Sequence, residues 1–225
     1  MNTMKYLTST GCIALLLSVV IPAKAIPSAT ADFSRSGSTL TITLTSTGDA
    51  AAVPTDILTG VYFSANDENL TPISAVLVSG SSILNPVAGE SIGGNYQFAG
   101  GKDGMGLPNG ATAGIVTTGL GVFGPTGNFG TPAQILDGFG YGIVNGISSN
   151  ANNPVKDATL IDNSIVFTLT VPGDFDLSSI KNVGFQWGTS LDENPPSVPE
   201  SAPTIGLLGL ALVGLGSVRR KLAQA

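Results

Sequence analysis

The chemistry open to this chain is that of carboxylates. None of its 225 residues is His, and its single Cys is Cys12, inside the apolar N-terminal stretch. The absence of imidazole excludes Ser-His-Asp and Cys-His catalysis. Without the N-terminal stretch no thiol remains for a disulfide, a thiolate metal site or a nucleophile. Between Asp32 and Glu193, fourteen Asp and Glu residues oppose four cations (Arg35, Lys102, Lys156 and Lys181), a net charge of −10. A nucleic-acid binder needs clustered Lys and Arg, so no nucleic-acid partner is expected. Hard cations such as Ca²⁺ take oxygen ligands, and Asn66-Asp67-Glu68-Asn69 and Asp174-Phe175-Asp176 are where one would sit. Neither has EF-hand spacing, and Asp and Asn are ordinary residues of exposed turns. No metal and no cofactor are therefore expected. Glycoside hydrolysis needs two carboxylates ~5–9.5 Å apart. No pair stands out among the fourteen, and most sit beside Asn, Gly, Ser or Pro, where a solvated acid makes a poor proton donor. No catalytic residue is assigned, and a glycoside hydrolase is the least favoured reading.

Two further patterns bear on binding. Gly119-Leu120-Gly121-Val122-Phe123-Gly124 matches a dinucleotide fingerprint, but Pro125 and Gly127 break the helix that such a site requires. It is read as chance in a Gly-rich stretch: 18 of residues 86–150 are Gly. In the same stretch Gly138-Phe139-Gly140-Tyr141-Gly142-Ile143, drawn as a strand, puts three Gly on one face and Phe139, Tyr141 and Ile143 on the other. A bare Gly face lets a backbone or a ligand approach closely. Phe139 and Tyr141, with Trp187 and with Tyr62 and Tyr96 as further candidates, would form a flat aromatic platform for a sugar ring.

The elements that position these residues read as strands. Residues 38–46 alternate strictly, with Leu40, Ile42 and Leu44 on one face and Thr on the other, the pattern of a half-buried strand. Residues 57–65, 73–78 and 114–118 are strand-like. In 164–171 Ile165, Phe167, Leu169 and Val171 point inward, and in 182–189 Val183, Phe185 and Trp187 line one face. No window carries a 3.6-residue stripe. The expectation for residues 26–190 is one all-β domain, a sandwich or jelly-roll, with the Gly-rich middle at 86–150.

Both ends read as membrane signals. Lys5 precedes an uncharged apolar run over residues 11–21, and Ala23 and Ala25 form an A-x-A cleavage site, so residues 1–25 are expected to be a signal peptide. Residues 191–203 are polar and Pro-rich. Residues 204–218 carry no charge and end on Arg219-Arg220-Lys221, so 204–225 is expected to be a transmembrane helix with a basic cytoplasmic end. That orientation leaves residues 26–200 outside the membrane.

Val198-Pro199-Glu200, the Gly- and Leu-rich apolar segment and the terminal Arg219-Arg220-Lys221 together resemble the PEP-CTERM sorting signal of exosortase-dependent bacterial surface proteins. Ser201 stands where that motif has its second Pro, with Pro203 two places later. Residues 182–189 with Leu191-Asp192-Glu193 are also similar to the ending of many such ectodomains. The resemblance implies signal peptidase and an exosortase-type enzyme as partners, processing near the motif, and a destination in the cell envelope or extracellular matrix. The expectation is an exported, non-enzymatic surface or matrix protein, membrane-anchored before processing. The alternative is a module binding exopolysaccharide through the aromatic platform.

Overall fold

The computed structural model describes residues 27–65, 69–100, 107–117, 127–130 and 138–190. The expected signal peptide with Ala23 and Ala25, the motif Val198-Pro199-Glu200, the 204–225 helix with Arg219, Arg220 and Lys221, and the 119–124 Gly pattern lie outside the described residues. Among the described residues no helix is long and apolar enough to cross a membrane.

The described chain is mostly β. It starts with a hairpin of β1 (Ala29–Ser36) and β2 (Thr39–Ser46), closed by a two-residue turn with Gly37 at φ +59. Gly takes this left-handed conformation without steric cost, and Gly at the first turn position suits tight hairpins. There follow β3 (Leu58–Ser64), β4 (Thr71–Leu77), β5 (Ser82–Leu84), β6 (Gln97–Gly100), β7 (Ala113–Val116) and β8 (Ile143–Val144). The five-residue helix α1 (Asn153–Asp157) starts on Asn152, whose side chain accepts from Val155 N at 3.2 Å, with Pro154 in its first turn. The chain ends with β9 (Leu160–Asp162), β10 (Ser164–Thr170) and β11 (Lys181–Trp187).

One sheet has the order β1-β2-β10-β4, all antiparallel. Leu40, Ile42 and Leu44 of β2 and Ile165, Phe167 and Leu169 of β10 are fully buried, as their alternation predicts. Its other face carries the Thr residues between them. Asn163, at φ +84, is the single residue between β9 of the second sheet and β10 of the first.

The second sheet has the order β5-β9-β8-β3-β7-β6, with β11 also on β3. Leu58 pairs with both Ile143 and Trp187, so β8 and β11 lie on opposite sides of β3. Six of the seven β3 residues are buried, which means both faces of this strand are covered. Within the sheet, β7 comes close to β3 at Gly60, where a Cβ would meet Val116 Cγ1 at 2.5 Å and the Ile115 carbonyl oxygen at 2.6 Å.

The largest hydrophobic cluster joins the two sheets. Phe33 of β1 meets Phe63 of β3 edge-on at 5.3 Å between ring centroids, and Phe167 meets Tyr96 at 4.8 Å and Phe129 at 5.1 Å. A smaller cluster, with Ile57, Val144, Val155 and Leu160, lies under α1. A third, with Tyr62, Ala99, Leu107 and Val116, covers the other side of β3.

Two expectations need correction. Residues 138–143 are not a strand: 138–141 turn, Tyr141 sits at φ +59, and only Ile143 opens β8. The alternating Gly found a use, but it is backbone approach, since a Cβ on Gly142 would run into Ile57 Cγ2. Along β11 the expected alternation also fails. Val183 is 43% exposed while Gln186 is 2% exposed, because the register on β3 shifts twice, between Lys181 and Gly184 and again at Gln186/Trp187. Each shift moves the following side chains to the other face.

Candidate functional site

The five candidate aromatics are distributed through the interior. Tyr62, Tyr96, Tyr141 and Trp187 are all 3% exposed or less, and Phe139 packs against the cluster under α1. The expected platform of Phe139, Tyr141 and Trp187 is therefore not formed, because no ring face of Tyr141 or Trp187 is open to a sugar. Instead these rings organise the backbone. The Tyr96 hydroxyl donates to the Tyr141 carbonyl at 2.6 Å, holding the left-handed turn that the Gly pattern did not announce. Burial, with the Glu90 carboxylate facing the hydroxyl, pushes the Tyr141 pKa up to about 12.

The most organised polar site lies at the end of β11. Bulging at the end of β11 turns Gln186 into the interior, where it can persist only fully hydrogen-bonded. Its Oε1 accepts from the Tyr62 hydroxyl at 2.7 Å; its Nε2 donates to the Trp187 carbonyl at 2.9 Å and the Ser190 carbonyl at 2.5 Å. Thr59 Oγ1 donates to the Gly188 carbonyl at 2.8 Å, and Gly188 N, at φ +64, returns a bond to Ile57 at 2.9 Å. Burial raises the Tyr62 pKa, so its hydroxyl stays protonated and remains a donor. The last described residues are thus fastened to β3 by side chains from both strands. Nothing in the sequence marked Gln186 or Thr59.

Ser28 O accepts from Gly48 N at 3.1 Å, and Gly48 O accepts from Asn145 Nδ2 at 2.7 Å. Asn145 directly follows β8, whose Ile143 pairs with Leu58, the partner of Trp187.

Three of the described carboxylates accept backbone N–H bonds, while the buried Asp56 Oδ1 has no partner among the described residues. Asp56 is 6% exposed, against the expectation of solvated turns; its Oδ2 accepts from Ala52 N at 3.0 Å and Val53 N at 3.1 Å, closing the turn before β3. Asp162 Oδ1 accepts from Gly146 N at 2.8 Å. Asp176, half of the second candidate Ca²⁺ position, accepts from Ser178 N at 2.9 Å and Ser178 Oγ at 2.6 Å. Those bonds, and then nearby Arg35, hold its carboxyl below the usual range. Arg35 itself donates to the carbonyls of Phe175 and Gly173 at 2.6 Å, so a cation at 174–176 would face a guanidinium. Asp67 and Glu68 of the first position lie outside the described residues. Among the described residues no three of His, Cys, Asp and Glu gather into one group.

No protein-family model, no curated protein and no solved structure matches the chain.

Proposed function

We propose that this chain is an exported, non-enzymatic cell-surface or extracellular-matrix protein whose two sheets stack as a β-sandwich ectodomain. In this reading signal peptidase removes residues 1–25, the 204–225 segment anchors the chain, and an exosortase-type enzyme processes it near Val198-Pro199-Glu200. The observation that carries the reading is the fastening of residues 186–190 to β3, with Gln186 holding the Ser190 carbonyl directly before the Pro-rich 191–203 stretch of the sequence. In this reading the processing enzyme works on the 191–203 stretch while β11 stays fastened to β3. The non-enzymatic part of the reading draws on the missing His and on Asp56, Asp162 and Asp176 each accepting backbone N–H bonds in turns.

Fractionation of the producing cell, with mass spectrometry of the C-terminus, tests the proposal. The expected result is an envelope or extracellular product that begins at Ile26 and ends near Pro199 or Glu200. Intact Ala225 on extracellular protein, or a purely cytoplasmic full-length chain, overturns it.

A further inference from the structure

The outer face of the four-stranded sheet is built mostly of hydroxyl side chains. Register places Ser36, Thr39, Thr170 and Thr71 in one row across the four strands, and Ser34, Thr41, Thr168 and Ser74 in the next. The third row is Asp32, Thr43, Val166 and Val76. Nine of these twelve positions are Thr or Ser, none of the twelve is buried, and the nine hydroxyls have no hydrogen-bond partner among the described residues. Val76 is 51% exposed, and Ile73, at the bulge between Ser74 and Pro72, is also 51% exposed.

We propose that this face is a docking surface for a neutral polysaccharide chain. Strands spaced by ~4.8 Å, with same-face residues ~6.8 Å apart along each, make a grid of hydroxyls that both donate and accept. The Thr methyls and the Val166–Val76 pair supply apolar ground between them. A sugar chain has the matching make-up, with hydroxyl edges and C–H ring faces. Charge selects against the other occupants. The face holds no cation, so an acidic polymer meets only Asp32 on a chain of net charge −6. One carboxylate is too little to hold a basic partner. An apolar partner would strip water from nine hydroxyls and leave them unpaired. The sheet's twist, about 20–25° per strand, denies a rigid planar surface full contact but leaves a flexible chain free to follow. The face is independent of the tail, so a failure of the export reading leaves this proposal standing.

Affinity electrophoresis of the full chain in a mild neutral detergent tests it, with dextran, a soluble β-glucan and galactomannan as neutral probes and alginate as the acidic one. At least one neutral polymer is expected to retard the protein, and alginate is not. The double variant Thr41→Val/Thr168→Val keeps β-branched strand residues while removing two central hydroxyls, and should weaken binding about tenfold or more. Val76→Lys should weaken it independently, whereas Val183→Lys, on β11 of the other sheet, should leave it unchanged. Circular dichroism confirms that each variant is folded. The proposal is overturned by no retardation with any neutral polymer, by equal retardation with alginate, or by binding that survives both face variants. A dimer that Val76→Lys dissociates, with no polymer bound, would also overturn it and would reassign the face to a second copy of this chain.

Discussion

Strands β2 and β3 are nearly equal in length, eight residues and seven, yet they bury themselves in different ways. In β2 every second residue is buried and the intervening Thr residues are half-exposed, so one face makes the core and the other meets water. β3 is covered on both faces, by the first sheet on one side and by the cluster around Leu107 and Val116 on the other. A strand of the first kind needs only alternation. One of the second kind also needs polar partners for whatever cannot avoid burial, such as Tyr62 with Gln186, and in β3 it adds close approach to β7 at Gly60. Stability should therefore be governed by side-chain volume in the first sheet, and by backbone clearance and hydrogen bonding in the second.

The largest effect should come from the contact that joins the two. Phe167 sits on β10 but packs on Tyr96 and Phe129, so Phe167→Ala should cost about 3–5 kcal/mol in chemical denaturation. A loss below about 1 kcal/mol would mean that the sheets do not share a core.

Alkali should attack the second region selectively. Tyr62, Tyr96 and Tyr141 have folded pKa values raised by burial, so their contribution to stability is complete below pH ~10 and is lost as pH rises toward and beyond 12. Each should withdraw roughly 1 kcal/mol per pH unit above 10. Melting curves across pH 9–12, read beside tyrosinate absorbance, check this; tyrosines that ionise near 10 without unfolding would refute the burial.

Gly60→Ala and Thr43→Ala make the sharpest comparison of the two strands. The first forces a methyl into Val116 and the Ile115 backbone and should cost about 1–3 kcal/mol. The second changes only the outer face of β2 and should stay within about 0.5 kcal/mol. Equal costs would erase the distinction. Tyr62→Phe, which orphans Gln186 Oε1, should cost about 1–2 kcal/mol, and adding Gln186→Leu should then cost less than it does alone.

The smallest effect belongs to the loop beside the first sheet. Asp176→Ala should lower the melting temperature slightly at neutral pH. The depressed pKa means that its contribution is present above the ordinary carboxylate value near 4 and fades as pH falls below it, so wild type and variant should converge in acid. A difference that persists at pH 2 would assign the loss to packing and not to the carboxylate.

Sequence alone determined the elements that face water on one side. The inward residues of β2 and β10 were legible because solvent on one face imposes a period of two on hydrophobicity. Strand β1 was missed: its inward set, Ala29, Ala31, Phe33 and Arg35, is too small and too polar to register as alternation. Arg35 is accommodated there only because three carbonyls at 172–175, some 140 residues later, receive its guanidinium. The polar character of the carboxylates was likewise legible, but not that Asp56 would be buried as a cap. What only tertiary structure decided is everything with two covered faces. Whether Tyr141 and Trp187 form a surface or a core depends on which segment lies over them, and whether Gln186 points in or out depends on bulges set by pairing with β3. Neither is encoded in local spacing, since a buried face and a binding face use the same aromatic residues. The outer Thr rows show the converse: each strand displayed its own hydroxyls in sequence, and only the register of four strands, brought together from residues 29 to 170, aligned them into one face.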